Sequence, residues 1–183
     1  MLEGQGGSGS EAQSYTTIRG WQYGLRTAAA NVISDNFEYD GNTVGVLLNG
    51  AVNNNINDFG ANNNTTYGIW IKNGSTNNKI SASADNNGIA GVYMGCSATG
   101  PSGSVCAEKE DRSTHNYIYY FFHENNVGYG IALELGSRHN VITDTYSLAT
   151  SVTPVDLYDA NPSCDRNIWR ANSFKAANRS CIQ

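Results

Sequence analysis

Apolar residues along this chain come in short alternating runs separated by polar turn residues, which is the period of a β-strand; helical spacing is nowhere sustained. One run reads Asn-x-Ile or a near variant and recurs at Ile33, Ile56, Ile80, Ile118, Ile142 and Ile168. The intervals are 23, 24, 38, 24 and 26 residues. A second run reads Gly-apolar-x-apolar: Gly45-Val46-Leu47-Leu48, Gly68-Ile69-Trp70-Ile71, Gly91-Val92-Tyr93-Met94 and Gly130-Ile131-Ala132-Leu133. A fifth copy, Pro154-Val155-Asp156-Leu157, has lost its glycine. The first apolar residue of each second run follows its Ile by 13, 13, 12, 13 and 13 residues. Turn clusters such as Ser34-Asp35-Asn36 and His123-Glu124-Asn125-Asn126 lie between the runs.

Two motifs locked in phase describe an internal repeat of roughly 24 residues. Such a unit is too small to bury its own apolar face. Stacking units about 4.8 Å apart lets successive coils pair as parallel strands around one core. The pattern therefore predicts an all-β chain: a single-stranded right-handed parallel β-helix of about six coils. The six Ile residues are expected to stack as one inward column. Val46, Ile69, Val92, Ile131 and Val155 should form a second, and Leu48, Ile71, Met94, Leu133 and Leu157 a third. The interval of 38 is one period plus an excess that falls on a Gly/Ser-rich segment, which predicts a loop insertion at about residues 96–113. Residues 1–13 read as a linker tail and residues 14–183 as the solenoid. Tyr15, Ile18, Trp21, Tyr23 and Leu25 are expected in an opening coil, and residues 164–183 in a closing one.

Composition narrows the function classes. The 183 residues suit one domain, and 39% of them are hydrophobic against 15% charged, so the chain should fold rather than stay disordered. The formal net charge is −5 and there is no Lys/Arg-rich run, which argues against nucleic acid as a partner. No apolar run reaches the length of a membrane span. The four cysteines contain no CxxC pair, so a zinc ribbon is not indicated. Chain order favours Cys96–Cys106, pinning the insertion, and Cys164–Cys181, closing the last coil. Paired cysteines would place the chain in an extracellular or periplasmic compartment; the alternative is four free buried thiols.

The repeat resembles that of the parallel β-helix family, including NosD-like periplasmic proteins, polysaccharide lyases, epimerases and phage tailspikes. The segment Cys164-Asp165-Arg166-Asn167-Ile168-Trp169-Arg170-Ala171-Asn172-Ser173-Phe174 with Cys181 looks like the closing coil of secreted bacterial members. The resemblance implies a fold and leaves the chemistry open, because this scaffold carries many functions.

Five groups of residues bear on chemistry or on the corners that would carry it. The middle residue of the glycine motif should point outward, which makes Trp70 and Tyr93 exposed neighbours on adjacent coils, suited to stacking on sugar rings. Lys72, Asn73 and Asn49 lie close by and offer hydrogen bonds; the plain alternative is an aromatic ladder that strengthens the sheet. Tyr117, Tyr119, Tyr120, Phe121 and Phe122 form a second aromatic cluster, expected to pack against the insertion. Asn31, Asn54, Asn78, Asn116 and Asn140 stand two residues before an Ile and are expected to form a structural amide ladder. Three residues before the Ile stand His115, His139 and Asp165, a set that could hold a divalent metal or simply occupy a polar corner. Finally, Asp35 and Asp58 share a position on adjacent coils and are the carboxylate pair available for acid/base chemistry. No Lys or Arg accompanies that pair as a lyase requires, and no Asp-Pro-His-Asp, GxSxG, P-loop or HExxH motif is present. The expected function is a non-catalytic extracellular or periplasmic glycan-binding module with no resident cofactor. The alternatives are a polysaccharide lyase or glycoside hydrolase, truncated here, and a structural spacer of an appendage or phage tail fibre.

Overall fold

The computed structural model describes residues 16–96, 112–148 and 155–183. They form a right-handed parallel β-helix of about six turns with three faces, in which every strand pairing is parallel. The first face stacks Tyr23–Thr27, Val44–Asn49, Tyr67–Lys72, Ala90–Met94, Tyr129–Leu133 and Leu157–Asp159 in that order. The second face stacks Ile33–Asp35, the first half of Asn55–Gly60, the first half of Lys79–Ser83, Tyr117–Tyr119, Val141–Thr143 and Ile168–Arg170. The third face holds Thr16–Thr17, Phe37–Glu38, the far ends of the two longer strands, Phe122–Glu124 and Tyr146–Leu148. The single helical element among the described residues is a 3-10 turn at Pro162–Arg166.

The inward columns explain the repeat. Leu25, Val46, Ile69, Val92, Ile131 and Leu157 are in register on the first face, and Leu48, Ile71, Met94 and Leu133 form the neighbouring column. On the second face Ile56, Ile80, Ile118 and Ile142 stack with essentially no exposure. The glycine that opens each second run has a steric reason. A Cβ on Gly68 would lie 2.7 Å from the Gly91 carbonyl oxygen and 2.8 Å from both the Ala61 carbonyl oxygen and the Ala84 Cβ. At this point the third face meets the first, and no side chain fits between the coils.

Three sequence expectations shift by a residue or two at the ends of the stack. Ile33 is not in the Ile column: it is 78% exposed, opposite Asn55, and Ser34 takes the inward place with its hydroxyl 2.7 Å from that of Tyr39. Ile168 is likewise exposed, and Trp169 stands opposite Ile142. The indole caps the core and its Nε1 donates to Asp159 Oδ2 at 3.0 Å. In the fifth copy of the glycine motif, Leu157 and not Val155 aligns with Ile131, and the buried Asp159 aligns with Leu133. On the second face the strands of Ser34 and Trp169 each pair with one described strand only, and there a polar or large side chain takes the inward place that a middle coil gives to Ile.

Backbone polarity at the corners is satisfied by side-chain ladders. Asn54, Asn78, Asn116, Asn140 and Asn167 are buried, and each amide oxygen accepts the backbone N–H of the preceding coil at 2.7–3.2 Å. Asn31 is absent from this ladder, because in the first coil Val32 holds the equivalent place. A second ladder, Asn42, Asn64, Asn87 and Asn126, works in the same way at another corner. The residue before each ladder Asn adopts a left-handed conformation that Asn tolerates well: φ is +56° at Asn53, +57° at Asn77, +56° at Asn63 and +56° at Asn86.

The closing coil is held by a Cys164–Cys181 disulfide with a Cα–Cα separation of 6.2 Å. Cys96 is also disulfide-bonded. Its expected partner Cys106, like the insertion at 97–111, the tail at 1–13 and Tyr15, lies outside the described residues. No helix of the described residues is long and apolar enough to cross a membrane.

Candidate functional site

The expected aromatic platform on the first face is not open. Leu47, Trp70, Tyr93 and Ala132 do form one outward column, yet Trp70 is 7% and Tyr93 4% exposed. They belong to a second apolar layer with Val44, Tyr67 and Ala90, in which the Tyr67 and Tyr93 rings stack at 4.7 Å. Their polar ends are used internally: Trp70 Nε1 donates to the Gly95 carbonyl at 2.8 Å, and the Tyr93 hydroxyl donates to Glu134. The Lys72 ammonium lies 3.7 Å from the Trp70 ring centroid, a cation–π contact. Asn73 donates to Asn49 at the end of the same strands. Lys72, Asn73 and Asn49 are therefore brought together as expected, beside rings that present no flat face to solvent.

The accessible aromatic surface is instead the second cluster. On the fourth coil Tyr117 and Tyr119 stack at 4.8 Å on the outside of the second face, and Tyr120 meets Tyr119 edge-on at 5.7 Å. Tyr120 is 65% and Phe122 58% exposed, and Tyr146 on the next coil comes within 6.1 Å of Phe122. Phe121 alone turns fully into the core. Alternation along a strand explains the division: Ile118 and Phe121 point in, so their neighbours point out.

Tyr120 carries a local cost. Its φ is +46°, in a corner where the first coil has Asn36 at φ +58°, the fifth Asp144 at φ +53° and the sixth the small Ala171 at φ +52°. Asn and Asp tolerate this conformation, whereas in a bulky side chain it is an outlier costing about 1–3 kcal/mol. Burial does not repay it, because the ring faces water.

Beside these rings lies an open groove of about 560 Å³ lined by Asn53, Asn54, Asn55, Asn77, Lys79 and Tyr119. The Tyr119 side chain closes one wall by leaning back over two coils, its hydroxyl donating to Asn57 Oδ1 at 3.0 Å. Register places Asn55, Lys79 and Tyr117 in one outward column. Asn53, Asn77 and Lys79 are exposed, so the groove offers two amides and an ammonium to a ligand that also touches a tyrosine ring. The Asn55 Oδ1 atom beneath it is buried with no hydrogen-bond donor.

The remaining candidates separate. Asp35 is exposed and stands opposite Asn57, one residue out of line with Asp58, so backbone register does not stack the two aspartates; the side chain of Asp58 lies outside the description. His115 and His139 do meet, with ring centroids 5.2 Å apart. Asp165 is not their third partner: left-handed backbone from Ser163 to Arg166 adds a residue, and Arg166 holds the place preceding the ladder Asn. The Asp165 carboxylate pairs with Arg138 at 3.2 Å. Among the described residues no group of three or more His, Cys, Asp or Glu is placed to hold a metal ion.

One set of acidic residues escaped sequence reasoning. Asp40, Asn62, Asp85 and Glu124 follow one another on successive coils. Asp40 accepts the Asn62 N–H at 2.9 Å, Asn62 that of Asp85 at 2.8 Å, and Asp85 that of Glu124 at 2.7 Å. Burial raises the Asp85 pKa; the Glu124 N–H bond opposes this, and the Glu124 and Asp40 charges add to the rise. Glu38, beside Gly60, is raised by burial and by Asp40. The signal was a carboxylate or amide recurring at coil spacing, hidden because it changes type from coil to coil.

These features define a parallel β-helix carrying an exposed aromatic surface beside a polar groove. No family model matches the sequence, and no curated protein or solved structure matches the chain.

Proposed function

We propose that the chain is an extracellular or periplasmic, non-catalytic β-helix module that binds a glycan along the outside of the second face. The observation that carries this reading is Tyr120: a bulky, solvent-exposed ring held in a left-handed corner conformation that the first and fifth coils give to Asn36 and Asp144 and the sixth to the small Ala171. Strain that burial does not offset, beyond one edge-on contact with Tyr119, is accounted for by a contact made outside the chain. Tyr117, Tyr119, Phe122 and Tyr146 extend the same surface, and aromatic faces with amide and ammonium groups beside them suit sugar rings and their hydroxyls. Parallel coils repeat about every 4.8 Å, close to the length of one sugar unit, so a linear chain lying along the solenoid axis meets the same environment coil after coil. The acidic net charge favours a neutral or amino sugar over a polyanion. The reading keeps the resemblance to secreted bacterial β-helix proteins of the NosD-like and lyase-like kind, and the disulfides support an oxidising compartment.

The test is retention on a panel of neutral and acidic polysaccharides, scored for binding and for released product. Binding without product, lost on changing Tyr120 and Phe122, is expected. Product release would overturn the non-catalytic reading and direct mutation to Asp85 and Glu124.

A further inference from the structure

The corner that precedes the first Asn ladder projects one side chain per coil: Asn53, Asn77, His115, His139 and Arg166. We infer that His115 and His139 form a two-imidazole site for a borderline divalent ion such as Zn²⁺ or Ni²⁺, with water completing the coordination. Three observations carry it. First, the rings lie on adjacent coils with centroids 5.2 Å apart and a 37° tilt. Zinc–nitrogen bonds of about 2.0–2.1 Å in tetrahedral geometry need the two nitrogens roughly 3.4 Å apart, and turning one nitrogen of each ring inward closes most of that gap. Second, the backbone is fixed in advance. Both residues sit at φ +56° and +60°, and each is followed by a fully buried ladder Asn, 116 or 140, so chelation orders only the two side chains. Third, the neighbouring charges are partly neutralised. Arg138 is paired with Asp165 at 3.2 Å, which leaves Arg166 as the flanking cation in the column and sets the site toward modest affinity.

The composition makes the inference sharp. The chain has 3 histidines, and the third, His123, is buried with both ring nitrogens sealed from solvent. Among the described residues no cysteine is free. Imidazole-dependent metal binding can therefore come only from this corner.

The experiment is calorimetric titration of the full chain with ZnCl₂ and with NiCl₂, for the wild type, His115→Asn, His139→Asn and the double variant. Asn is the substitution of choice because Asn53 and Asn77 already occupy the same left-handed corner. One ion per chain is expected, with affinity falling at least about tenfold in each single variant and lost in the double. In parallel, diethyl pyrocarbonate labelling of the wild type, read by mass spectrometry, should modify His115 and His139, with Zn²⁺ protecting both; His123 serves as the unreactive reference. This second readout stands even if a variant fails to fold. No saturable binding by the wild type, unchanged affinity in the double variant, or labelling indifferent to Zn²⁺ would each overturn the site. Glycan retention is read separately, through Tyr120 and Phe122, because Asn53 and Asn77 of the groove stand in the same corner column as the two histidines.

Discussion

Replacing Asn116 with Ala removes the middle of the first amide ladder, and the cost can be worked from its contacts. Its Oδ1 accepts the Asn78 backbone N–H at 3.2 Å and the Asn78 Nδ2 at 2.8 Å. Its Nδ2 donates to the Ser75 carbonyl at 2.9 Å and to Asn140 Oδ1 at 3.1 Å. Three of these partners have substitutes: Asn78 Nδ2 also reaches the Ala51 carbonyl, Asn140 Oδ1 also accepts the Asn116 N–H, and the Ser75 carbonyl also accepts the Thr114 N–H. The Asn78 N–H alone is left without a partner, and Asn78, Ser75 and Asn116 are all fully buried. A buried polar group left unsatisfied costs about 1–3 kcal/mol, so this one with the small void predicts a loss of about 2–4 kcal/mol. Backbone pairing links each coil to its neighbours, so the damage should centre on the third and fourth coils. Urea unfolding followed by tryptophan fluorescence measures the loss; Asn77→Gly, at an exposed left-handed position, is the matched control and should change stability little. A loss below about 1 kcal/mol for Asn116→Ala would refute the view that the ladder amides, and not water, satisfy the corner backbone.

Two other predictions follow from burial. Ile33→Ser should alter stability by under about 0.5 kcal/mol, whereas Ile56→Ser, in the sealed core, should cost at least about 3 kcal/mol; equal losses in thermal or urea unfolding would restore Ile33 to the inward column. His123 is pushed down to about 3 by burial, so the folded side chain stays neutral while the unfolded one takes up a proton below its ordinary value of 6.5. Stability should therefore fall as pH drops from about 6.5 toward 3, by up to about 1.4 kcal/mol per pH unit from this group. Glu38 and Asp85, whose pKa values are raised, act in the opposite direction as they take up protons in the folded state. The contribution of His123 is isolated by His123→Ala, which matches Ala61 and Ala84 in the preceding coils. A pH profile with the same slope in the variant would show that the imidazole is not held neutral.

The repeat was legible because stacked coils demand the same residue type at the same place. Ile56, Ile80, Ile118 and Ile142, the four glycines and the first Asn ladder all follow from that demand. It fails in the first and last described strands of the second face, where Ser34 and Trp169 take the inward places instead of Ile33 and Ile168 and a described strand pairs on one side only. The second ladder was written as Asn63-Asn64, Asn86-Asn87 and Asn125-Asn126: a left-handed Asn followed by a buried one. Such pairs resemble ordinary turn sequence until the register is known. The candidate site was only half legible. Alternation shows which way Trp70 and Tyr93 point, and they do leave the sheet outward; it carries no information on whether a second apolar layer encloses them. Tyr120 was visible as an aromatic, but its left-handed backbone, which marks it out from its neighbours, is a property of the corner and not of the residue.

The most direct measurement is the affinity of the wild type and of Tyr120→Asn/Phe122→Ala for a polysaccharide that the wild type retains. Two exposed rings at about 0.5–1.5 kcal/mol each predict a fall of about 5- to 100-fold. The melting temperature should be unchanged or higher, because Asn relieves the corner strain that Tyr120 imposes. Equal affinity in the double variant, or no retention of any glycan by the wild type, would contradict the account.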